Sequence, residues 1–118
     1  MAKHEFGIID NFEEGKWYSE YEPEKYNCIF VNDDLIGNIL MEFKDELYAI
    51  KTYFVISTQV GKGLDESGVT IFPPESLPRF RDVIVKANSQ YQSRELKALI
   101  GKITEAMEKS RHMIHFGI

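Results

Sequence analysis

Cys28, His4, His112 and His115 are the chain's only thiol and imidazole groups, the side chains that most often bind zinc. None stands in a C-x-x-C or H-E-x-x-H unit, so neither a metal nor a cofactor is expected. His112 and His115 are three residues apart, a spacing that puts them on opposite faces of a strand. A metal site would need strands from both ends of the chain to meet; otherwise these are ordinary surface histidines. As a nucleophile Cys28 would need one of them as its base, which is the alternative, enzymatic or ligand-binding reading of the chain. Its position in an apolar segment favours an inert core thiol.

Other patterns lack their context. Tyr21 and Lys25 fit Y-x-x-x-K, but Pro23 between them disfavours the helix that would bring them together, and no glycine-rich dinucleotide turn follows a strand. Gly61-Lys62-Gly63 lacks the P-loop order and reads as a turn. The acid pairs Glu13–Glu14, Asp33–Asp34 and Asp45–Glu46 are adjacent in sequence, whereas carboxylate pairs in hydrolases face each other across a cleft. Solvated faces and helix caps suit them better.

The unusual segment is 10–26, DNFEEGKWYSEYEPEKY, with six acids, two bases, the single tryptophan and three tyrosines. Either its rings pack on a sheet while the acids face water, or it is a recognition surface for a basic partner. In the second reading Trp17, Tyr18 and Tyr21 are anchors, and Glu13, Glu14, Glu20, Glu22 and Glu24 steer the encounter and pair with lysine or arginine.

The elements that must hold these residues can be read from period and punctuation. His4–Asp10 reads as a strand with Phe6 and Ile8 on one face and Ile9 on the other. Lys16–Glu24 has no clean period, and Tyr26–Val31 reads as a second strand. Asn32, Asp33 and Asp34 signal a helix start, after which Ile36, Leu40, Phe43, Leu47 and Ile50 predict one helix. Thr52–Thr58 and Ser67–Phe72 read as a hairpin ended by Pro73 and Pro74. Helices are predicted from near Ser76 and from Ser93, and His112–Phe116 closes the chain as a strand. The sum is one α+β domain over residues 1–118, with a mixed or mainly antiparallel sheet of about five strands covered by about three helices.

At 118 residues such a chain can bury a core without disulfides or metal. No apolar run approaches the ~20 residues of a membrane span, and no secretory signal precedes the first strand, so no membrane role is expected and the cytosol is the default. The net charge of −5 is uneven: residues 10–50 hold eleven acids and three bases, and residues 51–118 hold ten bases and seven acids. The acidic part argues against nucleic acid and for a basic partner, with self-association through the Trp17 region as the other option.

KWYSEYEPEKYNCI (16–29), VTIFPPESL (69–77) and HMIHFGI (112–118) resemble a group of small uncharacterised cytosolic proteins of Gram-positive bacteria. That resemblance implies no activity and no catalytic residues. In its small acidic α+β format the chain is also similar to bacterial immunity proteins, which implies a non-catalytic domain that binds and neutralises a basic protein.

Overall fold

The computed structural model describes residues 3–117. Six strands, β1 (Lys3–Ile9), β2 (Ile29–Asn32), β3 (Lys51–Phe54), β4 (Val60–Lys62), β5 (Val69–Phe72) and β6 (His112–Phe116), form one antiparallel sheet in the order β2-β1-β6-β5-β3-β4. Four helices, α1 (Asp33–Glu42), α2 (Lys44–Tyr48), α3 (Leu77–Tyr91) and α4 (Arg94–Glu108), cover one face. The α+β expectation is met.

Alternation along the strands assigns the faces. Phe6, Ile8, Val31, Phe72 and Met113 point at the helices and meet Phe80, Ile84, Leu96, Leu99 and Ile103, all nearly or fully buried. Ile9, Ile71, Ile114 and Phe116 point the other way and meet Tyr18 and Tyr26. With both faces covered, the central strands are buried on both sides, as the pattern of β6 shows.

Local chemistry explains most boundaries. Asn32 Oδ1 accepts the Asp34 amide at the start of α1, and Ser93 Oγ accepts the amides of Glu95 and Leu96 at the start of α4. Pro73 and Pro74 end β5 and lead through a 3-10 turn, Pro74–Ser76, into α3.

Three expectations need correcting. The single helix over 36–50 is broken at Phe43 (φ −115°, ψ 29°), because the chain must turn inward to place Leu47 and Ile50 in the core before entering β3. The strand expected from Tyr26 begins only at Ile29, since Pro23–Tyr26 forms a 3-10 turn. The segments read as one hairpin do pair, Tyr53 opposite Ile71, but the residues between them add β4 on the outer side of β3. The sheet therefore has six strands, where about five were expected.

Candidate functional site

Residues 10–28 form a long connection that crosses the sheet face away from the helices. Backbone bonds fix it there: Tyr18 N–H donates to the Val55 carbonyl at 2.8 Å, and Gly15 N–H to Ser57 Oγ at 3.0 Å. The Tyr18 hydroxyl accepts the Glu13 amide at 2.9 Å, and Arg111 Nη1 donates to Asp10 Oδ1 at 2.6 Å. Beneath, Phe12 stacks on His112 at 3.7 Å and on Tyr18 at 5.7 Å, while Tyr26 lies against Phe116 at 6.0 Å. Close seating depends on Gly7, where a Cβ would come within 2.6 Å of the Tyr26 carbonyl oxygen and 2.7 Å of Cys28 Sγ.

The expected anchor residues separate. Tyr18 is 3% exposed, so it holds the connection down and has no surface to offer. Trp17 and Tyr21 are 64% and 62% exposed. Tyr21 is nonetheless oriented: its ring meets Phe116 edge-on at 5.4 Å, and its hydroxyl donates to the buried carboxylate of Glu5. That bond, more than burial, pushes the phenol up to about 12.

The acids separate too. Glu13 pairs with Lys16 at 3.4 Å and Glu22 with Lys25 at 3.7 Å. Glu14, Glu20 and Glu24 make no ion pair among the described residues, and all three are exposed. The connection thus presents two large rings among three uncompensated carboxylates. Beside them Lys16 and Lys25 sit over the rings of Tyr18 and Tyr26, at 5.1 and 5.8 Å, on the wall of an open hollow of about 480 Å³.

The helix-facing side holds a polar chain that sequence reasoning missed. His4 and His115, expected on the surface, are fully buried, with His4 Nδ1 2.8 Å from His115 Nε2. His4 Nε2 is 2.8 Å from Asp33 Oδ1, and His115 Nδ1 is 3.4 Å from Thr70 Oγ1. Strands from the two ends of the chain do meet. Only the adjacency of β1 and β6 brings these rings together, and a spacing of 111 residues carries no local signal of it. Among the described residues no group of three or more His, Cys, Asp or Glu side chains is arranged to hold a metal ion.

Cys28 lies on the opposite face from that pair, half-buried near Tyr26, with no hydrogen bond to any histidine among the described residues. Burial, reinforced by the Glu5 charge, pushes its thiol up to about 12. The Cys28–histidine arrangement of the alternative reading is therefore not formed.

No helix among the described residues is long and apolar enough to cross a membrane. Compared with protein-family models, curated proteins and solved structures, the chain matches none.

Proposed function

We propose that the chain is a protein-binding domain that offers residues 13–24 to a partner with a basic surface, and that its concrete form is an immunity-like cytoplasmic protein that neutralises such a partner. The observation that carries this reading is the exposure of Trp17 and Tyr21 among the uncompensated Glu14, Glu20 and Glu24. Tryptophan and tyrosine concentrate binding energy at interfaces, and carboxylates around them raise the association rate with a cationic surface. The connection is already fixed by the Tyr18 and Gly15 bonds, so little ordering is required on binding.

The test is capture from native cytosol, followed by kinetics on the captured protein. A Trp17→Ala chain should keep its melting temperature while losing affinity by about 2 kcal/mol or more. The association rate of the unaltered chain should fall steeply from low to high salt. Equal affinity of the two chains, or a salt-independent association rate, overturns the proposal. A mass that rises with concentration for the chain alone would reassign the surface to self-association.

A further inference from the structure

Between residues 19–21 of the connection and residues 67–69 lies a hollow of about 290 Å³, open to water. Tyr21, Val55, Val69 and Phe116 form its walls, with the exposed Ser19 and Ser67 beside them. The hollow beside Lys16 has two lysines in its lining, whereas this one has no lysine or arginine. Nothing in its lining opposes a cation.

Its walls are fixed before anything binds. Val55 N–H donates to the Val69 carbonyl at 3.0 Å and Gly117 N–H to the Gly68 carbonyl at 2.8 Å, bonds that tie the Val55 turn and the end of β6 to the start of β5. Phe116 is buried, so the ring surface offered to a ligand is mostly that of the exposed Tyr21. Tyr21 is itself held at both ends, edge-on against Phe116 and by its hydroxyl on Glu5. A preformed wall needs little ordering on binding.

The chemistry of the site follows from where one hydrogen goes. The Tyr21 hydroxyl has a single hydrogen and a carboxylate only accepts, so that hydrogen is committed to Glu5. What the oxygen keeps is acceptor capacity, which selects a donor. The carboxylates whose charge acts on that hydroxyl, Glu5 and Glu24, make no ion pair among the described residues. Glu20 and Glu66, exposed and likewise outside those ion pairs, adjoin Ser19 and Ser67 along the chain. Apolar walls, an open aromatic face and an acceptor in a negative field fit a long aliphatic stem that ends in a planar cation. Arginine has that form: its guanidinium stacks on aromatic rings and carries five donors, whereas the ammonium of lysine is a compact, strongly hydrated charge.

Resting on the reading of residues 13–24 as a surface for a basic partner, we propose that this hollow is the surface's anchor pocket and receives one arginine side chain of that partner, stacked on Tyr21. The first test needs no partner: N-acetyl-arginine methylamide is titrated into the full chain and followed by NMR at the Val55 and Val69 methyl groups and the Tyr21 ring. Saturable shifts at millimolar concentration, confined to this hollow, are expected. The neutral citrulline analogue should bind about fivefold or more weakly, because it keeps the shape and lacks the charge. Tyr21→Leu removes the aromatic face and should abolish the shifts at Val55 and Val69. Val69→Phe fills the hollow from β5 and should abolish those at Val55, and it serves as the deciding variant if Tyr21→Leu lowers the melting temperature. A partner captured from cytosol should be displaced by the arginine amide and not by the same concentration of sodium chloride. No saturable shift, citrulline binding as tightly as arginine, undiminished binding to Val69→Phe, or displacement no better than by salt would each overturn the pocket while leaving salt-dependent capture intact. Loss of that capture with the titration intact would instead overturn the reading of the surface and, with it, the partner as the source of the arginine.

Discussion

Two neighbouring aromatic residues, Trp17 and Tyr18, have the same composition-level meaning and opposite structural ones. Tyr18 fills the sheet face and Trp17 faces water. The sequence showed that rings and acids concentrate in this stretch, but which ring turns inward depends on where the connection crosses the sheet. That crossing is set partly by Gly7, whose missing side chain makes room for Tyr26 and Cys28 and which carries no local signal of that role. Cys28 reads from the sequence as an inert core thiol and is half-buried in the structure, and its reactivity can be measured. With the thiol pushed up to about 12, alkylation near pH 8 should run on the order of 10³-fold slower than for a free thiol, because so little thiolate is present. A rate near that of free cysteine, measured by mass spectrometry, would contradict the shielding of the half-buried thiol.

At the level of elements, helices with strong caps and a sustained stripe were readable, as Ser93 and the residues of α4 show. Edges and breaks were not. The three-residue β4 is too short for a period to register, and the break at Phe43 follows from where β3 must begin. The turn after β3 holds an unusual residue. Val55 has φ +68°, a value that a β-branched side chain resists. There its N–H reaches the Val69 carbonyl at 3.0 Å, its carbonyl receives Tyr18 N–H at 2.8 Å, and Ile56 N–H closes a tight turn onto Phe54 at 2.7 Å. One strained residue thereby joins β3, β5 and the 10–28 connection. Val55→Gly relieves the strain and should raise stability by about 1 kcal/mol in urea unfolding, with Trp17 fluorescence unchanged in the folded state. A loss of stability would show instead that the valine side chain contributes more packing than the conformation costs.

For the whole molecule, the acidic excess of residues 10–50 divides. The connection 10–28 carries six acids and two bases, and the α1–α2 region, 33–50, carries five acids and one base. Each has a balance of −4, and the sheet lies between them. Sequence alone gave the sum; the partition needed the topology. Acid sensitivity is also a property of the whole fold. His115 is held below the ordinary histidine value of 6.5, so the unfolded chain binds more protons than the folded one as pH falls past that value. The associated stability is complete above about pH 6.5 and is lost progressively below it, by up to about 1.4 kcal/mol per pH unit for one proton. Urea midpoints measured in pH steps should fall accordingly. His112→Gln should retain most of the decline, because His112 is only half-buried against Phe12 and burial lowers it less.

The adjacency of β1 and β6 has a further consequence, for the order of events during synthesis. β6 lies at the middle of the sheet, between β1 and β5, yet it follows every other element along the chain. Until it leaves the ribosome the sheet exists as two unjoined halves, β2-β1 and β5-β3-β4, each with an open edge. The nascent chain therefore cannot build this sheet progressively as it emerges. It must leave the facing edges of β1 and β5 unpaired until a single late strand joins the halves, a long-range pairing that slows folding and leaves the waiting edges open to chaperones.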